Sequence, residues 1–350
     1  MGYTDYISQA RRRVALILVM AVIAVVIGLY SICVMQYDMS FSEAIDIVVK
    51  NLRGYEFETY IEQLESHMVW DGRVPMALAG LLVGAILGIS GAVMQNLIHN
   101  PVADPYTTGI SSGAMFGVTI FIVLDLGVTG ISNEFGQVIN AFVFSLIPVA
   151  AIVLFSLYRK VTPTIMVLIG IAVMYIFSAM TTLLKYTASE DDIASIYAWS
   201  VGSLGSVGWD AIPFLLAAFV LLLVFMMLMS NKLNVIAAGD KVASSLGENP
   251  ARVRIACLVV ISIATSIAVC FTGTIGFVGL IAPHICRVFA GSNSKLLIPS
   301  SVAAGALILI GSEVVARCIG PTGISVGVIT ALVGGPIFLF FLIRQRKGTW

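Results

Sequence analysis

The chain has 350 residues, of which 59% are hydrophobic and 11% are charged, whereas a soluble domain carries about 25% charged residues. It holds 19 basic and 19 acidic residues, so its formal net charge is zero and gives no general attraction for nucleic acid. These values exclude an ordinary soluble domain and predict an all-α polytopic membrane protein. The five cysteines stand in apolar sequence without a C-x-x-C pair, which indicates small buried side chains and no metal site or other cofactor.

Charges and clusters of Pro, Gly, Asn and Asp divide the chain into about ten apolar segments of near-bilayer length. The predicted spans are 14–36, 75–97, 105–124, 137–158, 163–184, 211–230, 252–272, 274–290, 296–316 and 324–343. The first is too long for the apolar part of a signal peptide, so we expect it to remain as a helix. The eighth is short, and its glycines at 273, 276 and 279 leave open a re-entrant turn or an eleventh segment.

Lys and Arg near the ends of the spans set the orientation, because they favour the cytoplasmic side. With ten spans and a cytoplasmic N-terminus, all the basic residues lie inside except Lys50, Arg53, Arg73, Lys185 and Arg317. Both termini are therefore predicted to be cytoplasmic.

The first outer loop, residues 37–73, is the largest predicted exterior segment. Apolar residues recur at helical spacing between 41 and 52, which predicts a short helix on the outer surface. Residues 55–65 are acidic and aromatic, which indicates a solvated loop, with a docking surface as the alternative.

The second predicted span carries four glycines at small-xxx-small spacing, a pattern that allows close packing of helix backbones in lipid. They are Gly80, Gly84, Gly88 and Gly91. A tight inner turn follows at 99–105, where Asp104 and Pro105 are predicted to cap and begin the third span. The chain contains no GxxxxGK[ST] sequence, so it has no nucleotide-binding loop of this type.

The polar segment 231–251 separates the sixth and seventh spans on the predicted cytoplasmic face. We expect a short amphipathic helix here, with Asp240 as its N-cap and Gly247 at its end, and a new helix that begins at Asn249 and Pro250. Its apolar side comprises Val242, Ala243 and Leu246. So short a helix is not stable alone and should be docked, although a solvated loop with one helical turn remains the alternative.

Four ordered motifs make the chain resemble the FecCD-type permease subunits of type II ATP-binding-cassette (ABC) importers. The first is GxxxxxSGAxxQxxxxNPxAxPxxxGxxxGA at 84–114, and the others are AAGDKVASSLG at 237–247, GTIGFVGLIAPHICRVFAG at 273–291 and VGVITALVGGPIFLFFL at 326–342. The resemblance covers nearly the whole chain and implies one transmembrane permease domain over 1–350. It also implies import of a large metal chelate, most often iron-siderophore, otherwise haem or cobalamin.

The resemblance further implies partners: a second permease chain, two cytoplasmic ATP-binding subunits and an extracytoplasmic substrate-binding protein. Asp240, Ala243, Leu246 and Gly247 match the family's coupling segment, which fits a cleft in the ATPase. Arg73 and Arg317 match its arginines that pair with glutamates of the binding protein, although Met76 stands where a further arginine is common. A snorkelling Arg73 and an Arg317 paired with Glu313 are the structural alternatives.

The resemblance also places the cytoplasmic narrowing of the pathway at the start of the fifth span, near Thr162 and Thr164. The polar residues Ser178 and Thr181 of the fifth span would line the pathway. From the residues alone, a polar helix start is the simpler interpretation of Thr162 and Thr164.

Three other classes of membrane protein agree less well with the residues. An ion-coupled secondary carrier needs ionisable groups at mid-membrane depth, whereas Glu313 lies toward the outer end of its span. A membrane-embedded enzyme needs a cluster of catalytic residues, and none is visible. Composition does not exclude a channel, but a channel gives no reason for a docked helix at 240–247.

Overall fold

The computed structural model describes residues 3–34, 39–128, 134–320 and 323–344, and these form helices and connecting turns without a strand. The helices are α1 Tyr3–Cys33, α2 Phe41–Leu52, α3 Tyr60–Ser66, α4 Val74–Ile98, α5 Ile110–Leu124, α6 Glu134–Tyr158, α7 Pro163–Lys185, α8 Glu190–Val201, α9 Ile212–Ala237, α10 Asp240–Ser245, α11 Pro250–Thr272, α12 Val278–Ala290, α13 Ser294–Arg317 and α14 Val326–Arg344. The all-α prediction is confirmed for these residues.

Seven helical stretches of the described chain are long and apolar enough to cross a membrane. They contain α1, α4, α6, α7, α9, α11 and α13. Three shorter apolar helices, α5, α12 and α14, occupy the positions of the third, eighth and tenth predicted spans. A total of ten crossings therefore stays a prediction, as does the side on which the termini lie.

Helix α4 lies at the centre of the bundle and packs against α13, α9, α12 and α11. In its apolar stretch 83% of the residues are buried, against 17% in α7, which packs mainly on α5 and α6. The predicted close approach of backbones at the α4 glycines is confirmed. A Cβ on Gly84 or Gly88 would collide with the backbone of α13, and one on Gly91 with the carbonyl oxygen of Gly279 in α12.

The segment before α4 is more helical than predicted. The helix predicted between 41 and 52 is confirmed as α2, and Ser40 caps it through a reciprocal bond with Glu43; its place on the outer side stays a prediction. The solvated loop predicted at 55–65 is wrong from Tyr60 onward, because Tyr60–Ser66 forms the helix α3. This helix continues through the π-helical turn His67–Arg73 into α4, so that Tyr60–Ile98 is one helical stretch of 39 residues.

Two of the predicted span starts are wrong. Asp104 caps the 3-10 turn Pro105–Thr108 instead of a long helix, and α5 begins only after Gly109, which has a φ of +91°. The eighth span begins at Val278 because Gly273 and Phe277 both have positive φ and interrupt the helix.

Helix α8 was not predicted at all. Ser189 and Asp192 form its capping box, which was a usable sequence signal. The non-helical residues after α11 lie against the end of α8, where the Thr274 hydroxyl donates to the carbonyl of Ser200.

Candidate functional site

One end of the bundle carries most of the exposed basic residues and is called the basic end below. Helices α6 and α9 end there, and α7, α11 and α13 begin there. Its cations are Arg159, Lys160, Lys232, Lys241, Arg252, Arg287 and Lys295. The short helix α10 lies at this end, between α9 and α11.

Helix α10 has six residues and is held on one side only. Ala243 is fully buried against the core, whereas Val242 and Leu246 are 44% and 67% exposed. The predicted docked helix is therefore present, but Ala243 anchors it to this chain and only the other two apolar side chains are free for a partner. Gly247 ends the helix with a φ of +84°, as expected.

The boundaries of the segment differ from the prediction. Helix α9 continues to Ala237, so the polar connection spans 238–249 instead of 231–251. Asp240 is wrong as the N-cap: Gly239 occupies that position with a φ of +109°, and Asp240 is the first helical residue. Asn249 is confirmed as the cap of α11, since its side-chain oxygen accepts from the Arg252 amide at 3.2 Å.

The Asp240 carboxylate is instead held by Arg254, an arginine just inside the seventh predicted span. The Arg254 Nη2 donates to Asp240 Oδ1 at 2.7 Å, and the Arg254 Nε donates to the carbonyl of Leu97 at 2.9 Å. The Arg254 side chain is only 1% exposed. One guanidinium therefore ties α10 to α11 and to the end of α4. We call Asp240, Arg254 and Leu97 the clamp.

Two further contacts join the end of α9 to its neighbours at the same end of the bundle. His99 ends α4 in the left-handed region, and its Nε2 lies 2.8 Å from the carbonyl of Ile236 in α9. Lys232 of α9 pairs with Glu248 at 3.4 Å. The sequence signal for the clamp was a charged residue just inside a predicted span, where burial requires partners.

At the opposite end of the bundle, Arg73 and Arg317 lie close enough to interact electrostatically with each other and with Glu313. Arg317 donates to Glu313 at 2.8 Å, so the structural alternative for this arginine is present. Its Nη2 also lies 2.6 Å from the sulfur of Met76. The Arg73 Nη1 is buried without a partner among the described residues. This cluster holds two cations and one anion, and Arg73 carries the uncompensated charge.

The residues named for the pathway do not share one surface. Thr162 is exposed and caps α7, with its Oγ1 accepting from the Ile165 amide at 3.3 Å. Thr164 and Ser178 are also exposed, whereas Thr181 is 6% exposed and faces the rest of the chain. The described residues contain no group of three His, Cys, Asp or Glu side chains that could hold a metal ion.

Together these features define a multi-pass helical membrane protein with a short docked helix at its basic end, and the comparisons with known proteins agree. The FecCD transport family matches residues 22–344. The chain belongs to this family and is an ABC transporter permease of the cell membrane.

Several relatives with named substrates match over most of their length. The chain is 33% identical to the hemin transport system permease protein of Yersinia pestis, over 80% of this chain and 84% of the relative. It is 30% identical to the iron(3+)-hydroxamate import system permease protein of Bacillus subtilis (94% and 85%). It is 34% identical to the vitamin B12 import system permease protein of Klebsiella pneumoniae (79% and 83%).

A solved structure shares the fold. It shows an ABC transporter assigned to the metal-chelate type, in an inward-facing conformation. The match has a TM-score of 0.80 at 25% identity and covers 95% of this chain and 100% of the other.

Proposed function

We propose that residues 1–350 form the permease subunit of an ABC importer that carries a large metal chelate into the cell. The subunit would pair with a second permease chain, with two cytoplasmic ATP-binding subunits and with an extracytoplasmic binding protein. ATP hydrolysis would lie on the separate subunits, and this chain would perform no chemistry. Ten spans with both termini in the cytoplasm complete the proposal.

The observation that carries it is the geometry of α10. A helix of six residues is too short to be stable alone, yet Ala243 is buried against the core and the clamp fixes the helix to α4 and α11. Its exposed residues Val242 and Leu246 offer an apolar surface to a partner at the basic end. A force applied to this surface would reach α4 and α11 through Arg254, so ATPase closure would move the central helices.

Delivery from outside would use the cluster around Arg73. Because Arg317 is already paired with Glu313, the cation available to a glutamate of the binding protein is Arg73. Arginine suits such a contact, since its planar fork can bind a carboxylate with two parallel bonds. Arg317 would contribute by exchanging its Glu313 partner for the binding protein on docking.

The pathway would run along α7, the most exposed of the long helices apart from its contacts with α5 and α6. Its bare face includes Ser178, and Thr162 and Thr164 lie at its basic end, where a gate would narrow the pathway. Thr181 would line the pathway only after α7 rotates. A second copy of the chain would supply the other wall.

An iron-siderophore is the first candidate substrate, followed by haem and cobalamin. The named relatives support this range, since they transport hemin, iron(3+)-hydroxamate and vitamin B12. An ion-coupled carrier is not favoured. Among the described residues the charged side chains of Glu313 and Arg254 are buried and engaged in ion pairs, and the buried carboxylate of Asp104 caps the turn Pro105–Thr108.

The test is a Leu246→Asp variant, co-expressed with the cognate ATPase and binding protein. A carboxylate at this apolar contact is expected to reduce ATP-dependent uptake by at least about tenfold, as for loss of an interface contact worth ~1.4 kcal/mol or more. Hydrolysis by the assembled ATPase should persist without transport. Ser245→Asp, which adds the same charge one residue earlier, is the matched control. Normal transport by Leu246→Asp, or equal loss in both variants, would contradict the assignment.

A further inference from the structure

A cavity of about 650 Å³ opens at the basic end, between the end of α6 and the beginning of α11. Its apolar lining includes Val153, Leu157 and Ile255. Its rim carries the three cations Arg159, Lys160 and Arg252. The cavity is separate from α10 and from the Arg73 cluster.

The charge of this cavity is not balanced by the described part of the chain. No acidic residue lines it, and none of the three rim cations forms an ion pair within 4 Å there. The acidic residues of the neighbouring segment are already engaged, Glu248 with Lys232 and Asp240 with Arg254. Three cations around one partly enclosed space repel each other, and a bound anion would relieve this repulsion.

The apolar wall indicates what kind of anion fits. Leu157 is 74% exposed and Leu154, one turn further into the span, is 58% exposed. An apolar strip thus runs from the cavity along α6 toward the middle of the bilayer. Inorganic phosphate needs only the cations, whereas a phospholipid has a charged headgroup for the rim and acyl chains for the strip.

The depth of the cavity agrees with this occupant. Helix α6 ends at Tyr158 and α11 begins at Pro250, so the cations stand at the ends of apolar helices, where lipid headgroups lie. Basic pockets between helix ends are suited to anionic headgroups, and each Lys or Arg contributes to the attraction.

We propose that this cavity binds one anionic phospholipid, with its phosphate between Arg159, Lys160 and Arg252 and its acyl chains along α6. The site does not depend on the substrate or on the importer assignment. Because Arg252 lies two residues before Arg254 of the clamp, a bound lipid would also steady the junction between α10 and α11.

The test measures lipid binding to the full-length chain in detergent by native mass spectrometry. Phosphatidylglycerol is compared with phosphatidylcholine of the same acyl chains, and inorganic phosphate is the competitor. The variant Arg159→Gln/Lys160→Gln/Arg252→Gln removes the rim. The control Arg11→Gln/Arg12→Gln/Lys295→Gln removes three exposed cations that lie outside the cavity. Arg11 and Arg12 are at the same end of the bundle, because the neighbouring Arg13 lies beside Gly291.

We expect the native chain to retain one phosphatidylglycerol in preference to phosphatidylcholine. The rim variant should bind it on the order of 100-fold more weakly, since each basic residue near the headgroups is worth about a fivefold change. The control should stay within about threefold. If the rim variant does not fold, Lys160→Gln alone should show the fivefold loss.

Four results would overturn the proposal. The first three are equal binding of the two lipids, unchanged phosphatidylglycerol affinity in the folded rim or Lys160→Gln variant, and an equal loss in the control. The fourth is displacement of the lipid by an equal concentration of inorganic phosphate, because it would identify a plain anion site.

Discussion

The ion pair between Asp240 and Arg254 predicts that removing the exposed partner, Asp240, lowers the free energy of unfolding more than removing the buried partner, Arg254. Asp240 is 44% exposed and can be hydrated when left alone, whereas the Arg254 side chain is 1% exposed. Asp240→Ala therefore strands a buried cation, while Arg254→Met removes that cation and leaves a carboxylate that water can reach.

The structure sets the size of this difference. Breaking a buried pair by removing one partner lowers stability by about 3–5 kcal/mol. Because the Asp240 side chain is half exposed, Asp240→Ala is expected at the lower end, about 3 kcal/mol. Arg254→Met leaves the Leu97 carbonyl without its donor, at about 1 kcal/mol. The difference of about 2 kcal/mol corresponds to roughly 30-fold in the unfolding equilibrium. The double variant should resemble Arg254→Met alone, because no buried charge is left behind.

Thermal unfolding in detergent, followed with a thiol-reactive fluorophore, measures these effects because Cys257 and Cys286 are buried and free. Hydrogen exchange over 238–249 should rise most in Asp240→Ala. The control is Glu248→Ala, which breaks a more exposed pair and should cost less than about 1 kcal/mol. An Asp240→Ala variant that is no less stable than Arg254→Met, or additive effects in the double variant, would refute the clamp.

Further predictions concern packing, pH and docking. Gly91→Ala should abolish folded protein in a detergent-stability assay, because its Cβ would collide with the α12 backbone, whereas Gly311→Ala, with no atom within 4 Å, should be neutral or stabilising by up to about 1 kcal/mol. Burial raises the pKa of Asp104 to about 6, above its ordinary value, so the fold favours the protonated form. This contribution to stability is complete below about pH 4 and is lost as the pH rises through 6. The variant Asp104→Asn, which keeps the cap, should remove that loss of stability between pH 4 and 7. An unchanged pH profile in this variant would contradict the prediction. Arg73→Glu should weaken the affinity for the binding protein at least about tenfold, and a reciprocal Glu→Arg change in the partner should restore it. Arg317→Gln should weaken this affinity less. The reverse order would contradict the assignment of the uncompensated charge to Arg73.

Much of the helical pattern was predictable because local signals mark it. The fifth span was predicted at 163–184 and α7 is Pro163–Lys185, since a threonine cap, a proline and a lysine bound an uninterrupted apolar run. The α4 glycines predicted close packing in the same way, because small residues at this spacing allow helix backbones to approach closely.

The errors arose where tertiary contacts override the local pattern. Residues 60–66 are polar and aromatic, yet they extend α4 outward beyond its apolar part. Helix α8 has few buried residues, so its apolar periodicity is weak, and its capping box is the sequence signal that predicts it. The α12 start depends on the positive φ at Phe277, a conformation that no residue type signals reliably outside glycine.

The candidate site was predictable as a segment but not as a mechanism. Residues 240–247 were identified by motif and by polarity, whereas the clamp joins Arg254 to a carbonyl 157 positions away in the chain. The position of Arg254 just inside a predicted span indicates that it needs a partner, but a single sequence does not indicate which one. For Arg317 the pair with Glu313, four residues earlier in α13, is predictable from the sequence, whereas its contact with Met76 depends on how α13 lies against α4.

Transport in proteoliposomes tests the central claim most directly, namely that this chain is a passive permease driven by a separate ATPase. Vesicles would contain the chain with or without its ATP-binding subunits, and uptake of hemin, an iron hydroxamate and vitamin B12 would be measured with the binding protein present. Accumulation of one of them should require both the second subunit and ATP. Accumulation driven by a proton or sodium gradient in vesicles that contain this chain alone would contradict the account.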